Sequence, residues 1–418
     1  MPSASFPDRR LKFAATINDE ALSESTDPDL ELAYIDIGNV DSQGRVHDIV
    51  SYRFEAAPSR ARRIVRDGDV IISTVRTYLQ AIAPVENPPD NLIVSTGFAV
   101  VRPSNLLDQR FCKYALRANR FLWEVESRST GVSYPAINAS DLGDIKVSLP
   151  EIGAQRLIAN YLDRETARID ELIAEKERML ALLEEKRAAL ISRIVTRGLD
   201  FNAPLKPSGQ EWLREIPAHW EEPRAKGLFR EVDQRTETGE ETLLSLRMGK
   251  GLVPHHEVSE KILEASDVIG FKKVEPGQMV INRMRASSGL IAVATETGLV
   301  SPDYAVFDVV DKELSIEYFL ELFKTSLLQA VFRSSSKGLG TGEQGFLRLY
   351  TEAFLSLHFP YPPVDEQLTI VKFVQQQRSE MLHMENLLRR SIDLARERRA
   401  GLITDAVTGQ IPLEEMTK

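Results

Sequence analysis

The 418-residue sequence is poor in the residues that form disulfides or bind metals. Its single cysteine, Cys112, excludes an internal disulfide, and no Cys/His cluster has the spacing of a zinc site. No stretch reaches the roughly 18 uninterrupted apolar residues that a membrane helix needs, and the first residues contain no apolar run typical of a signal peptide. We therefore expect a cytoplasmic protein with no metal site and no membrane contact.

Motifs of a catalytic centre are also missing. We find no G-x-S-x-G, no P-loop and no H-E-x-x-H. Gly340, Gly342 and Gly345 have the spacing of a dinucleotide fingerprint, but a stretch with helical spacing precedes them where the fingerprint requires a strand. In "NPPD", residues 87–90, Asp90 stands where DNA amino-methyltransferases place an aromatic side chain, so a proline turn is the better interpretation. We predict no catalytic residue and no bound cofactor in this chain.

The formal net charge of −10 argues against a protein that coats itself in nucleic acid. The charge is unevenly distributed along the chain. Residues 1–50 contain 4 basic and 10 acidic side chains, residues 51–135 contain 12 basic and 8 acidic ones, and residues 244–350 contain 12 basic and 13 acidic ones. The locally basic segment permits a surface that faces DNA, and the later segment gives this idea no support.

A long-period repeat organises the chain. At an offset of 212 residues, "PEIGAQRLIANYL" aligns with "PPVDEQLTIVKFV", which places Gln155 over Gln367. Upstream, "GDVIISTVR" from Gly68 resembles "GQMVINRMR" from Gly277. Such a self-match indicates that the chain is built twice. We predict an α/β (α+β) fold with two tandem mixed α/β domains, each followed by one long helix.

Both predicted long helices have a heptad pattern. In each copy, eight of eleven positions spaced alternately by four and three residues are apolar, which is typical of coiled-coil helices. Helices of roughly 44 residues would be about 65 Å long. We expect them to pair antiparallel about a pseudo-two-fold axis; packing of each helix on its own domain, or homodimerisation, stays open as an alternative. The predicted pairing residues are Ile158, Leu162, Ile169, Leu172, Met179, Leu183, Leu190, Ile370, Met381, Met384, Leu388 and Leu402.

These patterns divide the chain into six segments. The linker between the two copies is rich in Pro and Gly, and we expect its isolated Trp212 and Trp220 to dock on a neighbouring surface. The predicted segments are a first domain (1–149), a central long helix (150–200), the linker (201–222), a second domain (223–361), a C-terminal long helix (362–410) and a tail (411–418).

The first helix carries a resemblance to a known family. It reads "LPEIGAQRLIANYLDRETARIDELIAEKERMLALLEEKRAALISRIVTRGLD", and "YIDIGNVD", "GDVIISTVR" and "IPAHWE" occur elsewhere in the chain. These stretches resemble the DNA-specificity subunit of Type I restriction–modification systems. The resemblance covers nearly the whole chain and is strongest in the first helix, whereas the second copy has no counterpart of "DRETARID".

The resemblance implies a non-catalytic recognition subunit. Two target-recognition domains would each read one half of a bipartite, asymmetric site on double-stranded DNA. The long helices would act as a spacer and as a docking platform for two methylation subunits, while separate restriction subunits cleave DNA. S-adenosylmethionine, ATP and Mg would belong to those partner subunits and not to this chain.

Polar residues on loops beside the strands are the candidates for DNA contact. Arg, Lys, Asn and Gln read base edges, whereas Ser, Thr, Lys and Arg hold phosphates. The candidates follow "VIISTV" and "MVIN" or lie in the small-residue loop of each copy. In the first copy they are Arg76, Thr77, Tyr78, Arg128, Ser129, Thr130, Ser133 and Tyr134. In the second copy they are Arg283, Arg285, Lys337, Thr341, Gln344 and Arg348.

Two other classes of function stay open on the sequence. A self-contained DNA amino-methyltransferase would need to bind S-adenosylmethionine itself. A coiled-coil scaffold without a role on DNA would tolerate the loss of the loop residues.

Overall fold

The computed structural model describes residues 6–260, 263–311, 313–339 and 346–417. These residues form two compact units. Unit 1 contains the chain up to Arg178 and the stretch from Leu388 onward, and unit 2 contains the chain between them. Both boundaries fall inside long helices, so each unit combines a globular part with a section of each long helix. In the described part of the chain, no helix is long and apolar enough to cross a membrane.

Unit 1 begins with short strands, which are followed by short helices and the first long helix. The strands are β1 (Asp8–Arg10), β2 (Ala15–Ile17), β3 (Glu31–Ile35), β4 (Val50–Arg53), β5 (Ala61–Ile64), β6 (Val70–Ser73), β7 (Ile82–Pro84), β8 (Leu92–Ser95), β9 (Phe98–Pro103) and β10 (Lys146–Ser148). The helices are α1 (Gln109–Ala115), α2 (Asn119–Arg128), α3 (Ala139–Gly143) and α4 (Ile152–Arg197), and a 3₁₀ turn covers Thr77–Leu79.

Two four-stranded sheets form the globular part of unit 1. The antiparallel sheet has the strand order β2-β9-β6-β7, and the second sheet has the order β4-β3-β8-β5 with β3 parallel to β8. In β6 the apolar run is buried on both faces: Val70 and Ile72 pack into the core beside the helices, and Ile71 packs into the core on the other face. Burial on both faces explains why these strands read as continuous apolar runs.

Unit 2 contains the linker, a second set of short strands and the second long helix. The strands are β11 (Leu205–Pro207), β12 (Glu215–Pro217), β13 (Phe229–Val232), β14 (Leu244–Arg247), β15 (Gly251–Pro254), β16 (Lys272–Val274), β17 (Met279–Asn282), β18 (Ile291–Val293), β19 (Gly298–Val300), β20 (Tyr304–Val309), β21 (Lys337–Leu339) and β22 (Phe346–Arg348). The helices are α5 (Ala225–Leu228), α6 (Ile316–Phe323), α7 (Ser326–Ser334), α8 (Thr351–Ser356) and α9 (Val364–Thr408), with a 3₁₀ turn at Ala286–Ser288.

The sheets confirm the internal repeat residue by residue. The order β13-β20-β17-β18 in unit 2 matches β2-β9-β6-β7 in unit 1. Val70 pairs with Val101 and with Pro84, and its counterpart Met279 pairs with Phe307 and Val293 in the same register. Two copies of one antiparallel sheet therefore support two surfaces that differ in side chains.

A buried glutamine joins each long helix to the short helix of its own copy. Gln155 donates through Nε2 to the carbonyl oxygens of Leu106 and Pro150 at 2.9 and 2.8 Å, and its Oε1 accepts from the backbone N–H of Asp108 at 2.8 Å. Gln367 repeats the arrangement, donating to the Pro362 carbonyl and accepting from the Ser315 N–H, both at 2.8 Å. The two glutamines that align in the sequence repeat therefore make the same backbone hydrogen bonds in the two copies.

The two long helices run antiparallel within each unit. In unit 1, Arg399 forms a bidentate ion pair with Asp170 at 2.9 and 3.2 Å, and Arg396 contacts Glu177 at 3.0 Å. The earlier residue of α9 thus meets the later residue of α4, which shows that the helices run antiparallel. In unit 2, the end of α4 and the start of α9 share one core. The buried residues that α4 and α9 contribute to this core are Ile191, Ile194, Val195, Ile370, Val371 and Val374. The mixed α/β architecture with paired long helices matches the predicted fold class.

The buried seam of the helices departs from the predicted heptad positions in the middle of each helix. Ile158, Leu162, Ile370 and Met381 are buried, and Ile169, Leu183, Leu190, Leu388 and Leu402 are half-buried. Leu172, Met179 and Met384 are exposed by 48%, 48% and 44%, however, and the buried residues nearby include Ile173 and Ile392. An α-helix has 3.6 residues per turn, so positions that repeat every 3.5 residues rotate gradually around its surface. The buried face of the helix therefore shifts to adjacent residues.

The linker is ordered, and its second tryptophan is buried as predicted. β11 and β12 form an antiparallel pair, and Trp220 is completely buried. Its indole Nε1 donates to Oε2 of Glu366 on α9 at 3.0 Å. Trp212 packs partly buried against the same core. The linker therefore belongs to the packed structure of unit 2.

We expect Gln155→Ala to lower the free energy of unfolding by about 3 kcal/mol, because it leaves buried backbone groups without partners. Gln375→Ala is the matched control, since Gln375 is exposed on α9 and should change stability by less than about 0.5 kcal/mol. Urea unfolding followed by circular dichroism measures both. Equal effects of the two substitutions would contradict the anchoring role of Gln155.

Candidate nucleic-acid interface

In unit 1, the loop after β6 meets the small-residue loop after α2. The backbone N–H of Ile137 donates to the carbonyl of Thr74 at 2.9 Å, and Val75 forms an isolated bridge with Ala136. Thr130 and Ala136 exchange two backbone hydrogen bonds of 2.9 Å, which close the second loop into a small hairpin. Two of the segments selected from the sequence therefore form one surface.

Arg76 and Tyr134 are exposed and stack on each other at this surface. The guanidinium carbon of Arg76 lies 5.0 Å from the centre of the Tyr134 ring, a cation–π contact. Arg76 adopts a left-handed backbone conformation with φ 52°, which is uncommon for a residue other than glycine. Tyr78 is also exposed, by 53%. These side chains can reach a ligand from outside.

Three other candidates of unit 1 mainly hold the loops in place. Thr77 is 6% exposed, and its hydroxyl lies 2.8 Å from the hydroxyl of Ser129, which donates to the Val125 carbonyl at 2.7 Å. Arg128 donates to Glu124 through Nε and Nη2 at 2.9 and 2.7 Å. We therefore assign positioning roles to these side chains.

Thr130 and Ser133 are exposed at the hairpin between α2 and α3. Val132 between them is fully exposed as well. This hairpin tip presents hydroxyl groups of the kind that hold phosphates.

Unit 2 repeats the meeting of the two loops. The backbone N–H of Leu349 donates to the carbonyl of Arg283 at 2.9 Å, as Ile137 does to Thr74 in unit 1. The side chain of Arg283, however, is only 15% exposed; it is paired with Glu231 and donates to the Thr351 hydroxyl at 3.1 Å. Arg283 is therefore part of the fold, whereas its neighbour Arg285 is exposed.

Two further candidates of unit 2, Lys337 and Arg348, lie on the paired strands β21 and β22. Lys337 is exposed and pairs in register with Arg348. Arg348 is 21% exposed and contacts Asp303 through Nη1 at 3.2 Å. Thr341 and Gln344, like the glycines of the fingerprint-like spacing, lie outside the described residues.

Arg247 and Tyr304, which no sequence pattern marked, lie near Arg285. Burial raises the pKa of Tyr304, while a hydrogen bond from Asn282 and the positive charges of Arg247 and Arg285 oppose this rise. Arg247 ends β14, far from Arg285 in the sequence, so no local pattern linked the two. The register of β17 with β20, which pairs Asn282 with Tyr304, is the structural cause of the cluster.

The locally basic segment of unit 1 is largely neutralised in the fold. Several of its arginines pair with carboxylates, and some of these carboxylates come from the acidic first 50 residues. The pairs are Arg60–Asp36, Arg66–Glu20, Arg102–Asp69, Arg110–Asp163, Arg120–Asp8 and Arg128–Glu124. The charge count of this segment therefore overstates the positive charge that its surface offers.

The residues Asn87 to Asp90 form a turn, as predicted. They connect β7 to β8, and the N–H of Leu92 donates to the carbonyl of Pro89 at 3.0 Å. Asn87 has a left-handed φ of 47°, and its backbone N–H donates to Asp67 at 2.7 Å. The segment thus has a structural role as a proline turn.

Comparison with known proteins agrees with this architecture. A family model described as "Type I restriction modification DNA specificity domain" matches residues 52–180. A chain from a solved type I restriction–modification assembly is 20% identical, covers 98% of this chain and 100% of its own length, and has a TM-score of 0.72. The HsdS subunit from Thermoanaerobacter tengcongensis is 20% identical with a TM-score of 0.56, covering 97% of each chain. The likeness to both structures shows the fold.

Curated relatives agree with the family model. The type I restriction enzyme MjaVIII specificity subunit of Methanocaldococcus jannaschii is 18% identical over 78% of this chain and 75% of its own length. The EcoKI specificity subunit of Escherichia coli is 22% identical over 66% of this chain and 60% of its own length. The fold and these matches are those of specificity subunits of type I restriction–modification systems. The chain is similar to the DNA-specificity subunits of these systems, and residues 52–180 match their specificity-domain model.

Arg283 and Arg285 are a matched pair of arginines for testing which side chain stabilises the fold and which is only exposed at the surface. We expect Arg283→Ala to destabilise the protein by about 1–3 kcal/mol, because the partly buried Glu231 loses one of its two cationic partners and keeps Lys272. Arg285→Ala should stay within about 0.5 kcal/mol of the parent, since Arg285 is exposed. Urea unfolding compares the two, and a larger loss for Arg285→Ala would refute the assignment.

Proposed function

We propose that this chain is the sequence-specific DNA-binding subunit of a type I restriction–modification complex, and that each globular part reads one half of a bipartite target. The observation that carries the proposal is the repeated sheet with different side chains at equivalent positions. Ser73 and Phe98 pair, buried, at the end of β6 in unit 1, whereas the half-buried Asn282 and Tyr304 take these places in unit 2. Two DNA-binding domains that share one sheet but differ in their side chains suit a target whose two halves differ in sequence.

The exposed groups at both surfaces have the chemistry that DNA recognition requires. Arg76 and Arg285 occupy equivalent positions after β6 and β17, and both are exposed. Arginine binds guanine through two hydrogen bonds in the major groove and also pairs with phosphates. Thr130, Ser133 and Lys337 add groups that suit phosphate contacts.

The catalytic steps would belong to partner subunits. We propose that two methylation subunits and the restriction subunits assemble with this chain in the cytoplasm. They would hold S-adenosylmethionine, ATP and Mg, and this chain would contribute recognition of the double-stranded DNA. The similarity to type I specificity subunits supports this division of labour, and no observation favours the methyltransferase or scaffold alternatives.

Selection from a random duplex library tests the proposal. We expect the full chain, assembled with its methylation subunits, to enrich duplexes with two short specified halves around an unspecified gap. Binding should weaken steeply as salt rises, because phosphate contacts release counterions. A library recovered without any sequence preference would disprove the proposed function.

The two equivalent arginines should act on different halves of the target. We expect Arg76→Ala to relax or weaken recognition of one half, and Arg285→Ala that of the other, by about 1–3 kcal/mol each if the arginine reads a base. The selected motif of each variant provides the measurement. Loss of the same half in both variants would contradict one reader per half-site.

A further inference from the structure

The backbone at Gln80 has a conformation that its counterpart achieves with glycine. Gln80 follows the 3₁₀ turn Thr77–Leu79 with φ 50° and ψ 37°. Gly289 follows the equivalent turn Ala286–Ser288 with φ 73° and ψ 22°. The same left-handed position therefore carries a long amide side chain in unit 1 and none in unit 2.

The glutamine is the unexpected residue of this pair. L-residues rarely adopt the left-handed region, and glycine occupies it without steric cost. A backbone requirement alone would thus favour glycine at both positions. Residues held in sparsely populated backbone regions are found preferentially at functional sites.

The Gln80 amide is available to a ligand. Gln80 is exposed, and its side-chain amide makes no hydrogen bond with any residue in the described ranges. Its side chain borders an open cleft together with Asn119 and Trp123, and Trp123 is 66% exposed. The side chain therefore contributes no polar contact to the fold that would explain its presence.

The loop that carries Gln80 is anchored at its base. The buried Thr77 hydroxyl contacts Ser129, and its backbone N–H donates to the Pro135 carbonyl at 3.4 Å. The N–H of Gln80 itself donates to the Thr77 carbonyl at 3.0 Å. A side chain on so constrained a turn needs little ordering upon binding, which favours specific recognition.

We propose that Gln80 is a specificity-determining residue of the half-site read by unit 1, and that unit 2 reads its half-site without a counterpart. The inference rests on the proposed function. A glutamine amide donates and accepts at once, and in the major groove it matches the N6 and N7 atoms of adenine. Thr77 is then a positioning residue, and Gln80 is the group that contacts the base.

Gln80→Gly separates recognition from stability. It removes the amide and relieves the left-handed strain, so the melting temperature should stay constant or rise. Selection from a random duplex library with the full chain and its methylation subunits should show a preference reduced roughly 5- to 100-fold at one or two adjacent base pairs. The loss should lie in one half only, and Arg285→Ala should affect the other half.

Gln80→Ala and Arg214→Gly complete the test. Gln80→Ala keeps the strain and should lose the same base preference. Arg214 is exposed with a left-handed φ of 63°, so Arg214→Gly is the matched control that relieves strain and should leave the motif unchanged.

The outcomes separate the inference from the proposed function. If the unsubstituted complex selects a two-part motif and Gln80→Gly selects the same motif with equal strength, the role of Gln80 is overturned while the proposed function survives. A lowered melting temperature with loss of both halves would also overturn it, because it would show a structural role. If the unsubstituted complex selects no motif, the proposed function itself fails.

Discussion

Burial of the ends of the two long helices in the globular cores is the constraint on which the rest of the structure depends. In unit 1, Ile158 and Leu162 near the start of α4 share a core with Ile403 and Val407 near the end of α9. In unit 2, the opposite ends of the same helices complete the core. Each unit therefore needs both helices, and neither sequence copy completes its core with its own residues alone. Since apolar burial is the main driving force of folding, the shared core of unit 1 couples the N-terminal part of the chain to its C-terminal segment.

The same constraint holds the base of each candidate surface. A buried glutamine ties the start of each long helix to the segment before a short helix. The loops after β6 and β17 are bonded to the second loop of their own unit. Exposed side chains such as Tyr134 and Arg285 can thus differ between the two units while the buried strand pairs keep the same register.

Much of the fold was predictable because long-range similarity and helical periodicity are properties of the chain itself. The repeat predicted two mixed α/β domains, and the structure shows that their sheets share one register around Val70 and Met279. The heptads predicted two long helices that run antiparallel. The exposed Leu172 and Met179 could not be foreseen, because a one-residue change of seam depends on how the helices drift around each other.

The candidate surfaces were predictable as segments, and their individual residues were not. Residue type made both Arg283 and Arg285 candidates for DNA contact. In the structure, however, Arg283 is paired with Glu231, whereas Arg285 is exposed. The acidic first 50 residues neutralise arginines that the charge count had left free, and Arg247 reaches its cluster only through the sheet. Sequence by itself determined that the chain is duplicated, that each copy ends in a long helix, and which family it resembles. Tertiary structure decided which polar side chains are free, because partners distant in sequence satisfy the others.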